Sequence, residues 1–269
     1  MKDIVARGIY PNIPFSEYKA IKAVSNSYLG RLDKCPAAGA IEIEDTPSML
    51  IGRAVHKLVL EGLDAFTEEF VSLPKDLDRR TKEGKAAYAE LTEGNPGKNI
   101  ISFADWQKAC AVYKAVKEHP WASKLLAENV SEQTVIWEDK GTGLLCKSRP
   151  DSVPDEGKMA LIDLKTTADA SELAFTRSVI KYGYTRQAAM YLDGYNAATG
   201  SKADAFIFVA VETEPPYRTE VYLLDDDFIS WGREEYKRLL AIEKKCRTEK
   251  SYPHYATPNI VQIFKPAYL

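Results

Sequence analysis

The feature that most restricts how this chain can fold is a change of character near residue 130. Before it, apolar residues recur at helical spacing. Met49, Leu50, Ala54, Val55, Leu58 and Val59 share one face of a helix predicted from Ser48 to about Gly62. After it come three short β-prone runs, Ser131–Glu138, Leu144–Val153 and Met159–Leu164. The turn-forming Pro154-Asp-Glu-Gly-Lys158 joins the last two, so a hairpin inside a meander is predicted. A helical pattern then runs from about Ala170 to Ala198 and is closed by Gly200. Strands are predicted at 204–212 and 218–224, and a helix opened by Asp225-Asp-Asp227 extends to about Arg247. Helices, meander, helix, two strands and helix, in that order, predict an α+β fold with helices packed on a central mixed sheet.

The flanking segments are simpler. Residues 1–47 are broken by Pro11, Pro14, Pro36 and Pro47, and Ser25-Asn26-Ser27 caps a short helix predicted to about Asp33. Residues 64–100 are charged and loop-rich, with a helical stretch near Lys82–Thr92. Another helix covers about 103–128, interrupted at His119-Pro120. The proline-containing tail from Ser251 is expected to lie over the surface. With no internal repeat or linker, residues 1–269 read as one domain: an irregular segment (1–47), a helical part (48–130), a core (131–248) and a tail (249–269). A chain of 269 residues that is 45% hydrophobic can bury a sizeable core.

Several classes of function lose their support. H-E-x-x-H, G-x-S-x-G, the Walker G-x-x-x-x-G-K-[ST] and G-x-G-x-x-G are all absent, which argues against zincins, serine hydrolases, P-loop ATPases and dinucleotide enzymes. Cys35, Cys110, Cys146 and Cys246 form no C-x-x-C pair and read as reduced thiols of a cytosolic protein. No stretch of eighteen apolar residues occurs, and Met1-Lys-Asp-Ile-Val lacks the apolar core of a secretory signal, so a cytoplasmic location without a membrane partner is expected. A net charge of −3 argues against coating nucleic acid by bulk charge but permits a local basic channel.

The chemistry centres on Pro150-Asp151 and, after eleven residues, Asp163-Leu164-Lys165. Side chains alternate along a strand, so Asp163 and Lys165 project from one face. If the hairpin pairs, Asp151 reaches the same side. Two carboxylates and an ammonium at the end of the apolar run Met159-Ala-Leu-Ile162 suit phosphodiester hydrolysis, because carboxylates bind hard Mg²⁺ and a lysine can orient a water or neutralise developing charge. The tripeptide alone is unspecific, since acid-x-Lys also occurs at Glu17, Glu83, Glu138, Glu156, Glu235 and Glu243. An exposed strand-end ion pair is the competing reading. His56, on the early amphipathic helix, reads by itself as a boundary histidine. Gln187 and Tyr191, four apart on one helical face, read by themselves as the rim of a helix–sheet interface.

Taken in order, Gly-Arg-x-x-His, Arg-Pro-Asp, Asp-Leu-Lys-Thr-Thr and Gln-Ala-Ala-x-Tyr resemble the PD-(D/E)xK nuclease superfamily in its RecB-like branch. More closely they look like the RecE-type (exonuclease VIII) 5′→3′ exonucleases of phages and prophages. Ser25-Asn-Ser27, Cys35-Pro36 and Tyr182-Gly-Tyr184 fit that group too. The resemblance implies a restriction-endonuclease-like core and a Mg²⁺-dependent enzyme, with Mn²⁺ as a substitute. It would resect linear double-stranded DNA and leave 3′ overhangs for a RecT-like single-strand annealing recombinase. It also implies a homo-oligomeric ring. His56, Asp151 and Asp163, with the Leu164 carbonyl, would be the metal ligands. Lys165 would be the catalytic lysine, and Gln187 and Tyr191 would lie beside the site. Glu132 would match an auxiliary acidic residue. The second acid is Asp163, not the commoner Glu.

Arg53, Lys57, Lys147, Arg149, Arg177, Lys181 and Arg186 all fall near these motifs, whereas acidic charge collects at 42–45, 68–69 and 225–227. A basic channel is therefore expected, with Arg53, Arg149, Lys181 and Arg186 as DNA contacts. Other readings are a Cas4/AddB-like nuclease without an iron–sulfur cluster, since only Cys246 follows the motifs, and an inactive DNA-binding relative. A paired-carboxylate glycosidase leaves Lys165, His56 and Gln187 without roles.

Overall fold

A computed structural model describes residues 7–255 except 12, 42, 44–45, 128–129, 132 and 154–158, together with Gln262. Strand β1 (Gly8–Tyr10) precedes helices α1 (Phe15–Ala20) and α2 (Asn26–Lys34). The cap of α2 is the one the sequence predicts, with Ser25 Oγ accepting the Tyr28 N–H. Helix α3 (Pro47–Glu69) buries Ala54, Val55, Leu58 and Val59, the foreseen face. The helical path breaks at Gly62 (φ 88°, ψ −179°), so the first helical stretch ends where the sequence places its end and a second continues from the kink to Glu69.

Strand β2 (Phe70–Ser72), helix α4 (Lys82–Gly94) and strand β3 (Asn99–Ile101) follow, and β2 and β3 form a small parallel pair. The interruption at His119-Pro120 separates α5 (Phe103–Glu118) from α6 (Ala122–Ala127), and His119 Nδ1 accepts the Ala122 N–H at 3.1 Å. Strands β4 (Val130–Ser131), β5 (Thr134–Glu138), β6 (Leu145–Ser148), β7 (Ser152–Val153) and β8 (Ala160–Thr167) come next. Helices α7 (Glu172–Lys181) and α8 (Tyr184–Thr199) lead to β9 (Ala205–Glu212), β10 (Thr219–Leu223) and α9 (Asp226–Glu249).

Three sequence expectations change. The β-prone runs do not build one meander, because the first two are each divided between sheets. β1, β5 and β6 make a three-stranded antiparallel sheet, while β4 and β7 join a five-stranded sheet of order β10-β9-β8-β7-β4. Pro150 stands between β6 and β7 and has no N–H to continue a ladder. The expected 170–198 helix is two helices, because Gly183 adopts φ 66° and turns the chain between α7 and α8. A side chain at Gly183 would also collide with the Arg186 guanidinium. The segment 1–47, expected to hold one helix, also holds β1 and α1.

The predicted hairpin pairs: β7 runs antiparallel to β8 through Ser152↔Ile162, and its turn at 154–158 lies outside the described residues. β8 and β9 are parallel over eight rungs, from Ala160↔Ala205 to Thr167↔Glu212, with α7 and α8 as the crossover. The sheet is covered on both faces. Leu161, Phe206, Phe208 and Ala210 pack with α8 and α9, whereas Ile162, Leu164, Val209 and Val211 pack with α3 and α5. No described helix is long and apolar enough to cross a membrane.

Candidate active site

Alternation along β8 sets the site. Ile162 and Leu164 are buried toward α3 and α5, which leaves Leu161, Asp163 and Lys165 on the face toward α8. The flanking apolar side chains hold the strand, so Asp163, only 2% exposed, is fixed by its neighbours. The Ser152↔Ile162 rung puts Asp151 across from Asp163. Asp151 Oδ2 accepts the Leu164 N–H at 2.6 Å, and its Oδ1 lies 3.4 Å from His56 Nδ1 on α3. The N–H and carbonyl of a strand residue point to one edge, so the Leu164 carbonyl opens to the edge that Asp151 occupies.

Helix α8 contributes from the other side. Gln187 Nε2 donates to Asp163 Oδ1 at 2.6 Å. Asp163 Oδ2 pairs with the Lys165 ammonium, which also lies 4.7 Å from the centre of the Tyr184 ring. Beyond that ion pair, Oδ2 accepts no hydrogen bond. Tyr191, one turn after Gln187, sets its ring edge-on to Phe206. Burial, then the nearby Tyr18, Asp163 and Asp151, hold its phenol well above the usual range. Thus His56, Asp151, Asp163, Leu164, Lys165, Gln187 and Tyr191 converge, while Glu132 lies outside the described residues. Sequence reasoning missed Tyr184 as part of the site. The available signal was its spacing, three residues before Gln187 on the same helical face.

The electrostatics separate the two carboxylates. Burial pushes Asp163 up to about 6, because the nearby Lys165 only partly offsets the lost hydration and Asp151 adds repulsion. Burial acts on Asp151 as well, but the adjacent His56, then Lys165 and the Leu164 N–H, hold it below the usual carboxylate range. Burial opposes charge on His56, yet Asp151 outweighs it and raises the imidazole. Lys165 is likewise raised, Asp163 overcoming the effect of burial.

The donors suit a hard divalent cation: one imidazole, two carboxylates and a carbonyl. Among the described residues no three His, Cys, Asp or Glu side chains already surround a common point. Lys165 faces Asp163 Oδ2, and the Leu164 N–H holds Asp151 Oδ2. The buried Asp163 Oδ2, held only by the Lys165 ammonium, is where the residues best fit a cation.

The basic residues divide into two groups. Arg177 and Lys181 are exposed on α7. Arg53 donates to Asn99 Oδ1 at 3.4 Å, and Lys57 pairs with Glu61 at 2.7 Å and Glu69 at 3.4 Å. The others face inward. Lys147 is buried, donates to the carbonyls of Tyr18, Lys19 and Ile21, and is pushed down to about 8 by burial. Arg149 donates to the Ile13 carbonyl at 2.9 Å. Arg186, expected at the DNA, is instead a buried tie between Asn26 at 2.9 Å and Glu235 at 2.8 Å. The channel reading therefore loses Lys147 and Arg186, whose charges are enclosed by the fold.

A parallel strand pair with a buried acid-x-Lys in the middle of one strand, an aspartate on the adjoining hairpin arm and a glutamine helix beside it is the architecture of the PD-(D/E)xK nuclease superfamily. Within it, the chain belongs to the family of PDDEXK-like domains of unknown function, whose model matches residues 15–259. The fold is similar to that of a candidate exonuclease from Eubacterium rectale, with a TM-score of 0.61, 17% identity and 94% of each chain covered. An alkaline exonuclease from Laribacter hongkongensis aligns at a TM-score of 0.28 and 15% identity, over 87% of this chain and 97% of that one. None of the curated proteins matches the sequence.

Proposed function

We propose that this chain is a Mg²⁺-dependent exonuclease that degrades linear double-stranded DNA from its 5′ ends. It leaves 3′ overhangs for an annealing type of homologous recombination. The observation that carries this reading is Asp163: a buried carboxylate set between the Gln187 amide on Oδ1 and the Lys165 ammonium on Oδ2. His56, Asp151, Asp163 and the Leu164 carbonyl would hold the cation. When bound, the cation polarises a phosphoryl oxygen and acidifies a water.

The chain's own residues do the rest. The Gln187 amide keeps Asp163 Oδ1 aimed, and the Leu164 N–H does the same for Asp151. The Lys165 ammonium, once released from Asp163, neutralises charge growing on the phosphoryl oxygens as the bond from water to phosphorus forms and the bond to the leaving oxygen breaks. Tyr191 borders this space, close enough for Asp163 and Asp151 to act on its phenol. A RecT-like annealing partner, a ring of identical subunits and a cytoplasmic site of action belong to the same reading and rest on the family resemblance.

The test uses linear duplexes labelled at the 5′ or the 3′ end, incubated with Mg²⁺ or with EDTA. Release of the 5′ label, retention of the 3′ label and silence in EDTA are expected. Stable DNA in both Mg²⁺ and Mn²⁺ would remove the nuclease reading.

A further inference from the structure

We propose that Tyr182 is a stacking platform for an unpaired base at the mouth of the site, with Lys181 and Arg177 holding the adjacent phosphates. The inference rests on the nuclease reading and deepens it by naming what grips the strand. Tyr182 stands where α7 ends, beside the left-handed Gly183, and is 54% exposed. So large an aromatic surface adds little to the core from that position. Its ring is 5.7 Å from that of Tyr184, and the Tyr184 ring in turn lies 4.7 Å from the Lys165 ammonium. Tyr182 is thus one aromatic contact removed from the group that faces Asp163.

The charge around it fits a polyanion. The Lys181 ammonium lies 5.1 Å from the centre of the Tyr182 ring. Arg177 precedes Lys181 by one helical turn and is also exposed. On the same helix the acid Glu172 sits at the opposite end. An exposed ring at the end of a helix that carries exposed cations is an arrangement that binds single strands without regard to sequence, since every base offers a π-face and every linkage a charge. Internal pairs of a duplex are stacked on both faces, whereas a frayed or single-stranded end offers the face of an unpaired base, and such an end is the occupant proposed. Its unpaired base would leave the neighbouring phosphate near Lys165.

The proposal is tested on the full chain in Ca²⁺ with single-stranded oligonucleotides carrying 2-aminopurine at successive positions. Wild type should quench the fluorescence at one position near the bound end. Tyr182→Phe, which keeps the ring, should quench it equally. Tyr182→Ala should lose the quenching and bind about tenfold more weakly. An abasic site at the quenched position should make wild type and Tyr182→Ala bind alike. Equal affinity and quenching in wild type and Tyr182→Ala would overturn the platform while leaving the nuclease reading intact. No oligonucleotide or duplex binding by wild type would overturn both.

Discussion

Two buried carboxylates on neighbouring strands serve opposite ends. Asp163 on β8 and Glu212 on β9 lie on the same sheet face, and Glu212 is the rung partner of Thr167, four residues beyond Asp163. Both are almost fully buried and both face a cation. Glu212 is satisfied on each oxygen: Oε1 accepts from the Ala170 N–H and Arg218, and Oε2 accepts from Arg218 Nε. Burial would raise it, but those bonds win and hold it below the usual range. Asp163 has Gln187 on one oxygen and only the lysine ion pair on the other, and burial wins. Saturation with fixed donors makes a brace. A carboxylate left short of partners is a place where a further cation stabilises the protein.

The largest effect that would test this contrast is at Asp163. Asp163→Asn should lower the cleavage rate by about 10³-fold or more and weaken Mn²⁺ binding, with the fold retained. Calorimetry showing unchanged metal affinity would remove it from the ligand set. Next is Lys165→Ala, for which single-turnover rates should fall by roughly 10²-fold while DNA affinity in Ca²⁺ changes little. A parallel fall in binding and rate would make Lys165 a brace like Arg218.

Glu212→Ala should behave in the reverse sense. It strands the buried Ala170 N–H and should cost about 2 kcal/mol in denaturant unfolding, with cleavage per folded molecule maintained.

The last test is the pH dependence of the metal-free protein. Asp163 is raised from 3.8 to about 6, so its contribution to stability is complete below about pH 4 and is lost as pH rises through about 6. Glu212 is lowered, so its contribution is present above its usual 4.5 and is lost as pH falls through its lower folded value. In EDTA, Asp163→Asn should therefore lose less melting temperature than wild type between pH 4 and 7. Mg²⁺ affinity should rise over the same range, because the cation needs the ionised carboxyl. Parallel melting curves would mean that Asp163 is as well satisfied as Glu212.

Much of the sheet was legible because its signals are local. The apolar run before Asp163 and the turn residues after Val153 define a hairpin without help from the rest of the chain. The break at Gly183 was not legible, since a glycine inside a helical pattern is usually tolerated and only its φ shows the turn. The three-residue pair β2–β3 is too short for any periodicity to register. Asp151 and Lys165 could be placed from strand alternation. His56 could not, because a lone histidine on an amphipathic face points to nothing until α3 is seen against the edge of β8. The basic residues were the least legible. Lys147 and Arg186 match Lys181 and Arg177 in type, and only contacts more than a hundred residues away in sequence decide which charges are enclosed.

The bond from the Leu164 amide to Asp151 makes that single backbone proton a reporter. In most strands an amide is protected by a neighbouring strand and exchanges with solvent when the sheet opens. Here the protecting group is a side chain of the site itself. Slow hydrogen–deuterium exchange at Leu164 would mark a molecule whose carboxylate is seated, and fast exchange one whose sheet is intact but whose site is not assembled. One resolved amide resonance could then follow the readiness of the site in the absence of metal, DNA or turnover.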